Sequence, residues 1–102
     1  MILCTISNED AEKLNNTIIE VNMCEKLYKY AIEDINCTPD ALKVILDYYM
    51  FALKVHKTLW RQLVIQYLDE EIYTSSFNLL RFDPIEQTIF KLDSSECLLC
   101  KK

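Results

Sequence analysis

The sequence predicts a mostly α fold of the α+β class, in which a long antiparallel two-helix hairpin precedes a small C-terminal β-hairpin. The 102 residues contain no glycine, although glycine averages roughly 7% of protein residues. After Pro39, no helix-breaking residue occurs before residue 73. Residues 77–92 are instead rich in aromatic and branched side chains on both sides of Asp83-Pro84, a pattern typical of two strands joined by a turn. The length suits one domain, and a hydrophobic content of 51% excludes wholesale disorder.

The first predicted helix covers residues 7–36. Ser7 and Asp10 have the spacing of a capping box, and apolar residues then recur mostly at steps of three or four. The other positions are largely polar, so this helix is expected to bury one face. Before it, residues 2–6 alternate weakly and are interpreted as a short strand or an extended lead-in.

The second predicted helix covers residues 38–73, with Thr38 as its N-cap. Because the connection from the first helix is only a few residues long, the two helices are expected to be antiparallel. The register of such a hairpin brings Arg61 towards two acidic residues of the first helix, Asp10 and Glu12.

The second helix is too apolar to be covered on one side only. Its polar residues form one narrow line, and its apolar residues form two stripes, so it needs neighbours on two sides. Its tyrosine, tryptophan and methionine side chains are types that protein interfaces favour. The predicted partner-binding residues are Tyr48, Tyr49, Met50, Phe51, Leu53, Trp60, Val64 and Tyr67.

The predicted β-hairpin occupies residues 77–92. Asp83 and Pro84 fit the first two positions of a type I turn, and a two-stranded hairpin is marginal by itself, so it is expected to pack on the helices. A short helix over residues 84–92 is the alternative. Residues 93–102 are expected to form a flexible tail.

Composition argues against several classes of function. Without glycine, the chain has neither a glycine-rich phosphate loop nor a dinucleotide-binding fingerprint. A net charge of −5 opposes binding to nucleic acid. No apolar run approaches the ~20 residues of a membrane span, and the first residues do not have the pattern of a signal peptide. We therefore expect a cytoplasmic protein, with five cysteines that are most simply free thiols.

Two features could carry chemistry. Cys97 and Cys100 have the spacing of half a zinc site or of a redox pair, but the remaining cysteines and His56 supply no second pair. The alternative is that they are ordinary thiols. His56 lies on an inward stripe of the second helix, where it is interpreted as a core residue, and as a ligand or base only if Tyr49 and Trp60 complete a site with it.

Trp60 with Tyr67 seven residues later, the run Phe82-Asp83-Pro84 and the run Ile89–Leu92 together resemble a known pattern. It is that of small helical-hairpin accessory proteins encoded beside radical enzymes that mature Cys-repeat (CXXX) peptides. The resemblance covers about the second half of the chain. It implies an accessory or peptide-recognition role and assigns no catalytic residue.

These observations predict an interaction module rather than an enzyme. It is expected to bind a partner protein or peptide, or a second copy as a homodimer, through the aromatic-rich face of the second helix, without a cofactor. The alternatives are a small metal- or thiol-dependent protein that uses Cys97 and Cys100, and an accessory protein of a peptide-maturation system.

Overall fold

The computed structural model describes residues 1–92 and shows three helices and three strands. In chain order these are β1 (Ile2–Thr5), α1 (Asn8–Glu33), α2 (Pro39–Tyr67), α3 (Glu70–Ser76), β2 (Leu80–Asp83) and β3 (Thr88–Lys91). The predicted α+β class, with two long helices and a C-terminal β-hairpin, is confirmed. The expected tail at residues 93–102 lies outside the described residues.

Both long helices begin with the predicted caps. The backbone N–H of Asp10 donates to Ser7 Oγ over 3.2 Å, and the N–H of Ala41 donates to Thr38 Oγ1 over 3.2 Å. Each hydroxyl satisfies one of the N–H groups that a helix start leaves without a partner. α1 ends at Glu33, earlier than the predicted residue 36, because the Asp34 side chain accepts the N–H of Asn36 over 2.9 Å and closes a turn there.

The prediction of one continuous helix over residues 38–73 is wrong at its C-terminal end. α2 ends at Tyr67, and Asp69 is extended, with φ −170° and ψ 172°. The Asp69 carboxylate accepts the N–H of Ile72 over 2.6 Å and begins α3. The acidic residues from Asp69 to Glu71 would oppose the dipole at the end of one long helix, whereas they favour the start of a new one.

The strands form one antiparallel sheet in the order β1-β3-β2. β2 and β3 pair from Leu80 with Lys91 to Asp83 with Thr88, so the predicted β-hairpin is confirmed and the alternative helix over residues 84–92 is absent. Asp83 Oδ1 accepts the N–H groups of Ile85 and Glu86 and holds the turn. β1 adds the third strand and gives β3 a neighbour on its other edge.

The chain divides into two compact units. One, here called the sheet-containing unit, comprises Met1–Glu12 and the described residues from Trp60 to Leu92, and the other comprises Lys13–Leu59. The second unit, here called the helical hairpin, holds most of α1 and α2 and carries six carboxylates and six lysines. Its formal charge is therefore zero, and the net charge of −5 belongs to the sheet-containing unit.

Candidate interaction surface

An exposed apolar surface covers one side of the helical hairpin. It is called the hairpin face below. Its members are Met23, Leu27 and Tyr30 of α1 and Val44, Tyr48, Phe51 and Val55 of α2. Their exposed fractions run from 42% for Val55 to 72% for Tyr30. A contiguous group of large apolar side chains in water is a feature that marks interaction sites.

Helical periodicity explains why these side chains share one side. Residues three and four apart lie on the same face of a helix, and the members of each helix follow that spacing. Contacts within the hairpin align the two helices in antiparallel order: Thr17 Oγ1 lies 2.9 Å from His56 Nδ1, and the Tyr28 and Tyr49 rings lie 6.1 Å apart. α1 and α2 thus present their exposed stripes side by side.

Two shallow hollows indent the hairpin face. One, of about 280 Å³, lies between Asn16 and Thr17 of α1 and Phe51 and Val55 of α2. The other, of about 490 Å³, is bordered by Met23, Cys24, Lys26, Leu27 and Tyr30 of α1. Glu20 and Tyr48 border both hollows and separate them. Such hollows can receive the apolar side chains of another helix.

The Tyr48 hydroxyl donates a hydrogen bond to the Glu20 carboxylate. That bond, together with the negative charge of Glu20, raises the pKa of Tyr48, because the ionised phenolate would face a carboxylate. The Glu20 carboxylate borders both hollows, and its hydrogen bond with Tyr48 is already made within the hairpin.

Cys24 is buried beside this pair, at 4% exposure. Burial raises the pKa of its thiol, and the Glu20 charge adds to the rise. A buried thiol of raised pKa reacts slowly as a nucleophile. Cys24 therefore behaves as an apolar component of the larger hollow.

His56 is half-buried, and burial lowers its pKa. Thr17 Oγ1 lies 2.7 Å from the carbonyl oxygen of Leu14, to which it donates its single hydroxyl hydrogen. Thr17 Oγ1 also lies 2.9 Å from His56 Nδ1. Because the hydroxyl hydrogen is already donated to Leu14, Thr17 Oγ1 accepts here, and Nδ1 carries the hydrogen of this bond. His56 is thus held by α1, as a packed residue of the hairpin would be.

The structure divides the predicted partner-binding residues between the two units, and only two of the five in the helical hairpin lie on the hairpin face. Tyr48 and Phe51 lie on the hairpin face. Met50 is exposed on another side of α2, Tyr49 packs beside Tyr28, and Leu53 is half-buried.

The other three predicted residues, Trp60, Val64 and Tyr67, belong to the sheet-containing unit. Val64 is 0% exposed and Trp60 is half-buried. The Tyr67 hydroxyl donates to Asp10 Oδ2 over 2.6 Å and accepts the N–H of Ser7. These three side chains stabilise their own unit, so the hairpin face does not include them.

Sequence reasoning missed the contribution of α1. Met23, Leu27 and Tyr30 are spaced like a second apolar stripe, but α1 was expected to bury one face and to be largely polar elsewhere. Their helical spacing could have revealed them, because the apolar residues of the first stripe already fill the buried side of α1.

The expected neighbours of Arg61 also differ. Arg61 Nη2 lies 3.3 Å from Glu70 Oε1, and its guanidinium is 6.0 Å from the centre of the Tyr73 ring. The start of α3 therefore supplies partners for Arg61 that a continuous helix would not have offered. This surface ion pair contributes on the order of 0–1 kcal/mol.

Cys97 and Cys100 lie outside the described residues. Within residues 1–92, no group of three or more histidine, cysteine, aspartate or glutamate side chains is arranged to hold a metal ion. In the same part of the chain, no helix is both long enough and apolar enough to span a bilayer.

Comparison of the chain with protein-family models, with curated proteins and with solved structures gives no match. The resemblance to accessory proteins of Cys-repeat peptide maturation stays a prediction from the sequence. The geometry of the hairpin face is therefore the observation on which a functional interpretation rests.

Proposed function

We propose that this chain is a cytoplasmic, non-enzymatic protein-interaction module that self-associates through the hairpin face. The observation that carries the proposal is the exposure of seven large apolar side chains on one side of two paired helices. Covering each of them in an interface removes apolar surface from water, which favours association by roughly 25 cal/mol per Å² before the costs of binding.

A second copy of the chain is the occupant that the charges favour. The helical hairpin has a formal charge of zero, so the two hairpins that face each other carry no net charge by which they would repel one another. Two antiparallel helix pairs that pack face to face form a four-helix bundle, an arrangement that buries such two-helix surfaces. A two-fold interface uses the same patch on both copies.

The polar pair within the face is compatible with burial. Glu20 and Tyr48 already bond to each other, so covering them leaves fewer polar atoms without a partner than covering two separate groups would. Docking of an amphipathic helix from another protein would use the same hollows. An accessory role in peptide maturation would be one setting for that binding, and it stays a prediction.

Sedimentation equilibrium of the full chain tests the proposal. From micromolar to millimolar concentration, we expect a reversible monomer–dimer equilibrium. Phe51→Glu places a charge in the smaller hollow and should weaken the dimer at least about tenfold, which corresponds to about 1.4 kcal/mol.

The matched control is Ile32→Glu, which adds the same charge at an exposed position of α1 that lies nine residues, about two and a half turns, after Met23 and therefore on the opposite side of that helix. It should leave the dimerisation constant within about twofold of the original, since its surface changes do not enter the interface. A chain that stays monomeric at millimolar concentration overturns self-association, as would equal weakening by both substitutions.

A further inference from the structure

We infer that two hairpin faces pack about a two-fold axis that lies between the faces and crosses both helices at right angles. Asp47 of each copy then forms an ion pair with Lys54 of the other. This inference rests on the proposed self-association and specifies its register. In this arrangement α1 packs on α1 of the second copy and α2 on α2, each in antiparallel order.

The first step locates the centre of the hairpin face. The α1 residues that border the two hollows run from Asn16 to Tyr30, and the midpoint of that range is Met23. The contact between Thr17 and His56 shows which levels of the two helices coincide. Six residues after Thr17 on α1 therefore lies at the level of six residues before His56 on α2, which is Met50.

The second step applies the symmetry. The two-fold axis crosses α2 at the level of Met50. A residue that lies a given number of positions before Met50 in one copy therefore lies opposite the residue the same number of positions after Met50 in the second copy. Asp47 comes three residues before Met50 and Lys54 comes four after. At 1.5 Å per residue, they miss the same level by only about 1.5 Å, well within the reach of a lysine side chain.

The third step concerns the side of the helix. Asp47 and Lys54 are seven residues apart, about two turns, so their side chains leave α2 in nearly the same direction. Both are exposed, and Asp47 lies four residues before Phe51 and Lys54 three after it, so each neighbours this member of the hairpin face on the helix surface. They lie at the rim of the face, where an ion pair selects partner and register more than it adds affinity.

The same axis brings opposite charges together on α1. Glu20 comes three residues before Met23 and Lys26 comes three after, and both border the larger hollow. Lys26 of one copy therefore lies at the level of Glu20 of the other. Both helices thus place an acid opposite a base about one axis.

The competing arrangement has its axis parallel to the helices, with α1 over α2 of the second copy. Lys26 lies nine residues after Thr17 and Asp47 nine before His56, so they share a level, and this axis places Asp47 near Lys26 of the second copy. Lys54 then lies at the level of Ile19, an apolar and exposed residue. Of Asp47, Lys54, Glu20 and Lys26, the crossing axis gives each an oppositely charged partner, whereas the parallel axis pairs only Asp47 with Lys26, and the crossing axis is the one we assign.

Charge-reversal variants distinguish the two registers. Asp47→Lys alone places two lysines opposite each other, and Lys54→Asp alone places two aspartates there, so each homodimer should weaken. Mixing the two variants restores both ion pairs. Native mass spectrometry, which resolves the variants by mass, should show a ratio of mixed dimer to the two homodimers together of at least about three to one, against the statistical ratio of one to one, as expected for opposed surface charges.

The matched control mixes Glu25→Lys with Lys29→Glu, which changes the net charges by the same amounts. These residues pair within α1 over 2.9 Å and border neither hollow. Their mixture should show the statistical proportion of mixed dimer. Enrichment equal to that of the test pair would attribute the effect to net charge and overturn the assigned register.

Failure of the register is distinguishable from failure of the proposed function. An unsubstituted chain that stays monomeric overturns both. A dimer of the unsubstituted chain without enrichment in the test mixture overturns the register alone. Enrichment only when Asp47→Lys is mixed with Lys26→Asp overturns it in favour of the axis parallel to the helices.

Discussion

Tyr48 of α2 donates its phenolic hydrogen to the carboxylate of Glu20 on α1, and these two side chains form the boundary between the two hollows of the hairpin face. The bond links the long helices near the middle of the apolar surface. It also orients the Tyr48 ring. An interface that covers this surface would find its central polar groups already satisfied, which lowers the cost of removing them from water.

The first prediction concerns the ionisation of Tyr48. Because Glu20 accepts its hydrogen bond and is negatively charged, the pKa of Tyr48 is raised above its ordinary value of 10.0. An ultraviolet titration at alkaline pH, from which the titration of Tyr48→Phe is subtracted, should show one phenol that ionises at a higher pH than an ordinary tyrosine. Glu20→Gln should bring that pKa down towards 10.0. A Tyr48 pKa that Glu20→Gln leaves unchanged contradicts the pairing.

The second prediction concerns acid stability. Burial lowers the pKa of His56 from 6.5 in the folded protein, so on acidification the unfolded chain takes up the proton first. The free energy of unfolding should therefore decline as pH falls through 6.5, until the folded protein also binds the proton. Urea denaturation above and below pH 6.5 measures this decline.

His56 is the chain's only histidine, so His56→Gln should reduce the dependence on pH in that window. Gln keeps a side-chain amide that can donate to Thr17. Stability that rises as pH falls through 6.5 would contradict the direction of the shift, and an unchanged slope in His56→Gln would assign the dependence to other groups.

The third prediction concerns the break between α2 and α3. Asp69→Ala removes the carboxylate that accepts the N–H of Ile72 and should lower the free energy of unfolding by about 1 kcal/mol, as loss of an N-cap does. Asp69→Asn should retain most of the stability, because its amide oxygen can accept the same bond. Denaturant unfolding compares the two, and equal stability in both variants would show that Asp69 is not a cap.

Local chemistry made several elements predictable from the sequence. Ser7 and Thr38 begin helices because their hydroxyls reach N–H groups within their own first turns. Asp83 forms a turn because its carboxylate reaches the next backbone amides. The position of the β-hairpin follows from that turn. These interactions join residues close in the chain, so a single sequence contains all the information they need.

The break at Asp69 shows where local information is ambiguous. The same three acidic residues can end a helix badly or begin one well. Arg61 pairs with Glu70 and lies over the Tyr73 ring, and both contacts favour the start of a new helix at these acidic residues. The sequence pattern without these contacts predicts one helix, because no proline or glycine interrupts it.

The sequence by itself determined the helix starts, the turn at Asp83, the antiparallel hairpin and the excess of apolar surface. Only the tertiary structure decided which apolar residues stay exposed. Val64 and Phe51 look equally suited to an interface in the sequence, yet one is buried completely and the other is 64% exposed. Helical periodicity states which residues share a side, but burial depends on which other segments of the chain pack there.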